Sequence, residues 1–284
     1  MTAADGSAPG STRELIAVRY GALEATKARL FHNFHTYGEP DEPASLAYYF
    51  WVLRDRDRVV LIDTGWDPAV ARRRGRDMGV EPLAALRALG IEPGDVATIL
   101  VSHFHYDHIG NLSAFPAAEL VVPATEVEFW ATPLARSAQF AAHVEEPELA
   151  VVEAARAEGR VREVSGETEV LPGVRAIEVG GHSPGQTMFL VSGAAAEVAP
   201  EGGARPESAA GDREVLLTSD AVHLYEDLER DRPSSVVADL AAMYRAHARV
   251  RDLAAAGAVV VPGHDPLVME RFTPVGGADF AVRI

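Results

Sequence analysis

The stretch Ser102-His103-Phe104-His105-Tyr106-Asp107-His108-Ile109-Gly110 gathers three imidazoles and a carboxylate into a short span. Imidazole and carboxylate are the ligands that borderline divalent ions such as zinc take when thiolate is absent, and the chain has no cysteine. In extended or turning backbone, residues two apart point to the same side, so His103 and His105 can grip one ion. Asp107 and His108 emerge beyond the turn and can face a second. Four ligands do not complete two sites, and the missing ones are expected as isolated His and Asp at strand ends. Three such positions exist. His182 follows Ile177-Glu178-Val179-Gly180-Gly181, Asp220 closes Val215-Leu216-Leu217-Thr218-Ser219, and His264 follows Val259-Val260-Val261-Pro262-Gly263. One histidine alone would say little. Seven ligand-type residues, each placed where a strand should end, point to a metal centre.

The elements that must deliver these ends can be read from periodicity. Strands are predicted over residues 14–23, 46–53 and 58–63, with Asp55-Arg56-Asp57 as the turn between the last two. A helix is expected around 69–78. Another runs from Pro82 in its first turn to Gly90 at its end, with Leu83, Leu86 and Leu89 on one stripe. Residues 98–102 read as a short buried strand that delivers His103. A strand at 119–122 precedes a stretch of helical spacing, 124–160, and further strands are predicted over 161–164, 174–179, 186–191 and 214–219. The longest helix is expected over 233–256, where Val236, Leu240, Met243, Tyr244, His247, Val250 and Leu253 recur at helical steps. Ser234 or Ser235 would cap it, Gly257 would end it, and His247 reads as a packed residue of its apolar stripe.

Residues 1–12 are small and polar and are expected to form a disordered tail. Residues 13–284 read as a single domain, with a helical insertion at about 124–160. The stretch at about 192–213, rich in Ala, Gly, Glu and Pro, reads as a mobile and dispensable hairpin tip. Two runs of strands, each closing with a helix, suggest two halves packed face to face.

Composition narrows the function. An apolar fraction of 48% and a charged fraction of 24% over 284 residues are ordinary for a soluble globular protein. The net charge of −16 argues against nucleic acid or an anionic membrane as a partner, since both need a concentrated basic surface. The densest basic run, Arg72-Arg73-Arg74-Gly75-Arg76, reads as a solvated helix face. Neither a signal peptide nor a run of about 20 apolar residues is visible, which makes a cytoplasmic location the default expectation. No glycine-rich nucleotide-binding motif is present. Gly181-His182-Ser183-Pro184-Gly185 fits the GxSxG form of a serine hydrolase, but Pro184 lacks the backbone N–H that an oxyanion hole would need.

The order HxHxDH, then His, Asp and His, each after a strand, resembles the metallo-β-lactamase superfamily. Thr218-Ser219-Asp220-Ala221 and Gly263-His264-Asp265 look most like the N-acyl homoserine lactone lactonases, and the resemblance runs from about Val59 to about Pro266. It implies an α/β fold, a metallo-β-lactamase-like four-layer αββα sandwich with the metal loops along one edge. It also implies that His103, His105 and His182 hold one divalent ion, that Asp107, His108 and His264 hold the other, and that Asp220 bridges them. Zinc suits these ligands, and iron, manganese and cobalt tolerate them. A hydroxide shared by the ions would attack an ester-like carbonyl, with Asp107 or Asp220 passing the proton. Asp63, in Asp63-Thr64-Gly65, would support ligands rather than bind metal. Phe129, Trp130, Phe140 and His143 become candidate pocket walls, since the insertion helps cover the substrate in that family; packing of the insertion on the core explains them equally well. The partner implied is a small lactone or ester, and a homodimer is compatible with the reading.

One position departs from the lactonase pattern. The tyrosine expected three residues beyond the bridging Asp is replaced by His223. Either His223 takes over its contact with the substrate, or Tyr225 does so if the segment is extended rather than helical. The alternative function is a glyoxalase II-like thioester hydrolase, whose acidic substrate would call for basic side chains over the site that the sequence does not clearly supply. RNA cleavage, a periplasmic β-lactamase, a di-iron flavoprotein and a non-catalytic metal scaffold fit less well. They are opposed, in turn, by the acidic balance, the missing secretion signal, His105 in place of Glu, and the complete ligand set.

Overall fold

Two long neighbouring strands show how the layers arise. In β1 (Glu14–Thr26) and β2 (Pro43–Asp55), successive side chains alternate between faces, as strand geometry requires, and both faces are apolar. Ile16, Val18, Tyr48, Phe50 and Val52 enter one core, while Leu15, Ala17, Tyr49, Trp51 and Leu53 enter another. A sheet buried on both faces must lie between two layers. In the computed structural model, which describes residues 13–55, 58–194 and 213–284, the first core lies under helices and the second lies between two sheets.

The first sheet adds β3 (Arg58–Ile62), β4 (Asp77–Met78), β5 (Val96–Leu100), β6 (Glu119–Pro123) and β7 (Val161–Val164). The second contains β8 (Glu167–Leu171), β9 (Val174–Glu178), β10 (Thr187–Val191), β11 (Val215–Ser219) and β12 (Val259–Pro262). The chain then returns to the first sheet with β13 (Thr273–Val275) and β14 (Ala278–Arg283). The orders are β13-β14-β1-β2-β3-β5-β6-β7, with β4 on β1, and β12-β11-β10-β9-β8. Phe189, Val191 and Leu217 face the first sheet, whereas Met188, Leu190 and Leu216 face the helix Leu240–Ala255 through Ala246, Val250 and Leu253. The result is the expected αββα sandwich.

Several expected elements are corrected. The helix predicted over 69–78 is only Pro68–Arg73; Asp67 caps it by accepting from the N–H groups of Ala69 and Val70, and Gly75, at φ 61°, turns the chain out so that Asp77 and Met78 pair with β1. The helix predicted over 233–256 begins only at Leu240, capped by Asp239 rather than Ser234 or Ser235. The residues before it are held by partners distant in sequence: Ser235 N–H donates to Leu30 O, and the N–H groups of Ala238 and Asp239 donate to Gly181 O. Leu240 and Tyr244 lie outside its buried stripe, while His247 packs inward as expected, its pKa pushed down to about 4 by burial. The 124–160 stretch is broken into helices Ala124–Trp130, Ala138–Ala141 and Glu146–Ala157 with a 3-10 turn at Pro133–Arg136. Strands β8, β13 and β14 were not anticipated. The 1–12 tail, Arg56-Asp57 of the predicted turn and residues 195–212 of the predicted hairpin tip lie outside the described residues.

The helix Leu240–Ala255 packs against the Gly181 turn that precedes His182, and Asp239 Oδ1 accepts from Ala242 N–H at 2.9 Å. Asp239→Ala is expected to lower stability by about 1 kcal/mol, read as a shifted urea midpoint at unchanged slope.

Candidate metal centre

β3 and β5 run parallel, as do β11 and β12, so their C-terminal ends lie at common edges. β9 runs parallel to β11 through the antiparallel β10, which brings the Gly180-Gly181-His182 turn to the same edge. Gly181 has a φ of 94°, and a Cβ there would meet Met243 Cα at 2.7 Å, so only glycine lets this turn lie against the long helix. A Cβ on Gly263 would lie 2.4 Å from Ser219 O, so a second glycine lets the loops carrying Asp220 and His264 meet.

All seven predicted ligands are buried and converge. The nitrogen or oxygen atoms of His103, His105 and His182 lie within 4.8 Å of one another, as do those of Asp107, His108 and His264. His105 Nδ1 is 2.9 Å from His182 Nε2, and Asp107 Oδ2 is 3.7 Å from His108 Nε2. Asp220 sits between the groups. Its Oδ1 is 3.2 Å from His108 Nε2, while its Oδ2 is 3.3 Å from His182 Nε2 and 3.1 Å from His264 Nε2.

Supporting contacts aim the rings. Asp63, at φ 61°, accepts from Ser102 N–H and Ser102 Oγ, each at 2.8 Å, and faces His108 Nδ1 at 2.7 Å. Ser102 Oγ also lies 2.9 Å from His103 Nδ1, and His264 Nδ1 lies 2.9 Å from Ala47 O. Each of these contacts occupies Nδ1 and leaves Nε2 turned inward. His103 Nε2 is buried with no hydrogen-bond partner among the described residues, which is what a metal-ligating nitrogen looks like without its ion. Burial, reinforced by neighbouring imidazoles, holds His103, His105 and His182 well below the usual histidine range, in the neutral form that binds metal. Although burial works against its charge, Asp220 is held well below the usual carboxylate range by His264, His108, His182 and His223. The residues present therefore fit two divalent ions with Asp220 shared between them.

His223 joins the cluster, with Nε2 3.0 Å from Asp220 Oδ2. Tyr225 does not. It begins the helix Tyr225–Glu229, so positions 223 and 225 do not share a face. Its hydroxyl donates to Val260 O at 3.3 Å and its ring lies under Arg271 at 3.8 Å. Of the candidate pocket walls, His143 lines the pocket, its ring 5.1 Å from that of His105. Phe129 and Phe140 pack edge to face on each other at 4.9 Å and lie outside it.

Glu126 was missed. Its fully buried carboxylate accepts from Phe104 N–H at 2.9 Å, Gly185 N–H at 2.7 Å and Trp130 Nε1 at 2.8 Å, tying the two histidine loops together. The Glu126/Trp130 spacing of one helical turn was its only trace in sequence. The basic run was also misread. Arg74 lies 4.1 Å over the Tyr106 ring and pairs with Glu145 at 2.7 Å, while Arg76 lines the metal pocket. Arg29 lines it too, so basic side chains do stand over the site.

The chain belongs to the metallo-beta-lactamase superfamily, whose family model matches residues 45–199. Among curated proteins it is similar to an N-acyl homoserine lactonase from Bacillus thuringiensis, 27% identical over 209 residues, 68% of this chain and 71% of the relative. Among solved structures it resembles an N-acyl homoserine lactone hydrolase with the product N-hexanoyl-L-homoserine bound at its catalytic metal center, at TM-score 0.69 and 21% identity, covering 92% of this chain and 96% of that one. It also resembles AidC, a dizinc quorum-quenching lactonase, at TM-score 0.65 and 17% identity, covering 98% and 95%.

Asp63 touches one ligand directly and a second through Ser102. Asp63→Ala is expected to weaken metal binding 10- to 100-fold, measured by competition with a chromogenic chelator. Unchanged affinity would show that the ligand rings aim themselves.

Proposed function

We propose that this protein is a dinuclear metal-dependent hydrolase that opens lactones, with N-acyl homoserine lactones as the first class to test. The observation that carries the reading is the convergence of the seven ligands around Asp220, and the lactonases among its relatives support it. His103, His105 and His182 would hold one ion, Asp107, His108 and His264 the other, with Asp220 shared. When bound, the ions would lower the pKa of water from about 15.7 towards about 7 and polarise the substrate carbonyl; zinc fits the ligands best, with iron, manganese and cobalt also suited.

The chain's own residues do the rest. Asp107 and Asp220, both at the pocket wall, are placed to pass the proton from water to the leaving oxygen. His223 fills the role given to tyrosine in the lactonase pattern. Its backbone N–H donates to the buried Asp227 Oδ2 at 2.7 Å, which fixes the loop, and its ring faces the pocket beside Asp220. Burial lowers its pKa, so the ring is neutral near pH 7 and can donate a hydrogen bond to the carbonyl or leaving oxygen.

Proton release at constant pH tests the reading, with metal-loaded protein mixed with a long-chain N-acyl homoserine lactone and chelator-treated protein as the blank. Metal-dependent release is expected, and silence at full metal occupancy would sink it. His223→Ala should lower turnover by about 100-fold while metal content stays at about two ions per chain. Unaltered kinetics would remove His223 from the reaction, and loss of metal would make it a ligand instead.

A further inference from the structure

The pocket onto which Asp107, Asp220 and His264 open has a volume of about 270 Å³ and two arginines among its lining residues, Arg29 and Arg76. Arg76 reaches it because the preceding helix stops at Arg73 and Gly75 turns the chain. Arg76 is half-buried, and its Nε donates to Tyr106 Oη at 2.9 Å. Tyr106 is the spacer between the ligands His105 and Asp107. Its ring is fixed by Arg74 at 4.1 Å and by the parallel ring of Trp66 at 6.5 Å. The metal motif itself therefore sets where this cation stands.

Cations elsewhere around the short helix Lys27–Leu30 are neutralised. Lys27 pairs with Glu42 and Glu226, each at 3.5 Å. Arg230 pairs with Glu39 at 3.3 Å, and Arg232 pairs with Glu39 and, at 2.9 Å, with Glu226. Among the described residues, neither Arg29 nor Arg76 forms an ion pair, and the terminal nitrogens of Arg76 make no hydrogen bond. The Asp107 carboxylate of the same pocket acts on Arg76 without forming an ion pair with it, so the half-buried guanidinium keeps desolvated donors unmatched. Its planar fork fits a carboxylate on two parallel hydrogen bonds.

We propose that Arg76, with Arg29 at the rim, receives a carboxylate carried by the substrate, so that the site hydrolyses a lactone or thioester bearing an acidic group near the scissile carbonyl. This rests on the hydrolase reading above. Water adds to the carbonyl carbon and the C–O bond of the ring or the C–S bond breaks. The departing oxygen or sulfur takes a proton, leaving a carboxylic acid with an alcohol or thiol.

The test compares kcat/KM within two matched pairs, using metal-loaded protein. One pair is a lactone with a side-chain carboxylate and its primary amide; the other is a thioester with the same two groups. The acid is expected to be preferred at least ten-fold in one pair, which identifies the reacting bond, and rising salt should reduce the preference. Arg76→Met should lower the acid-to-amide ratio at least ten-fold and Arg76→Lys should restore part of it. Arg72→Met, an exposed arginine of the same run outside the pocket, should keep the wild-type ratio. A wild-type ratio near one, or an equal fall on acid and amide in Arg76→Met, overturns the proposal and leaves Arg76 a clamp for Tyr106. If neither pair is hydrolysed but an N-acyl homoserine lactone is, the proposal is overturned and the hydrolase reading stands; if none is hydrolysed, the hydrolase reading fails, and calorimetric titration of glutarate into the metal-loaded protein decides the rest. Binding weakened at least ten-fold by Arg76→Met upholds the carboxylate site, and absent or unaltered binding refutes it.

Discussion

The crowding of four imidazoles about one carboxylate is the interaction on which the structure turns. His108, His182, His223 and His264 each bring a ring nitrogen to within about 3.3 Å of an Asp220 oxygen. A carboxylate can accept from several donors, and the four rings divide: burial holds His182 and His223 below the usual histidine range, whereas in His108 and His264 burial is outweighed by Asp220 and Asp107, which raise them. Lone pairs converging in a dry pocket repel one another unless cations sit between them. Ions held between them would relieve that repulsion, and metal binding would then contribute to the folding free energy.

Holding such a cluster requires backbone that ordinary strands and helices do not supply. Asp63 and Ser219 both have positive φ, 61° and 44°, a conformation costing about 1–3 kcal/mol for a side-chain-bearing residue. The two are linked. Asp63 takes both donors of Ser102, and Ser219 Oγ donates to Ser102 Oγ at 2.9 Å. Ser102 thus joins the ends of β3, β5 and β11, one of them in the opposite sheet. The strain is stored where two ligand-bearing loops meet the supporting loop of Asp63, and the hydrogen bonds that offset it are the ones that fix the ring orientations.

The residues that converge at the candidate metal centre were legible in the sequence because their signal is local: a dense motif, then single His or Asp residues after apolar runs whose ends can be read by eye. The two-sided burial of β1 and β2 was not read from the sequence, although both faces of each strand are apolar. What failed was local pattern overridden by partners distant in the chain. Residues 233–239 have helical spacing, but Leu30 O and Gly181 O take their N–H groups. Residues 74–78 continue a helical run, but β1 offers an edge that Asp77 and Met78 can join. Glu126 looks like any solvated helix carboxylate until the fold puts the N–H groups of Phe104 and Gly185 on either side of it. Tyr225 was misplaced for a smaller reason: whether residues two apart share a face depends on where a short helix begins, and nothing near Leu224 announces that start.

Charge was the property least well read from composition. A net charge of −16 describes the surface, and most arginines near the pocket rim serve that surface by pairing with glutamates. Inside the pocket the balance is different. Two bound divalent ions would outweigh Asp107 and Asp220, and Arg29 and Arg76, neither of them in an ion pair among the described residues, add to the same sign. In a concave site with low-dielectric walls, field lines are focused, so a few unneutralised cations can govern the pocket even in an acidic protein. On the proposed reading, the acidic exterior would discourage polyanions while the interior would attract a small acid. The helix that ends early at Arg73 is what separates the two regions: Arg72 and Arg73 remain on the outside, and Arg76, three residues further on, is delivered to the metal pocket.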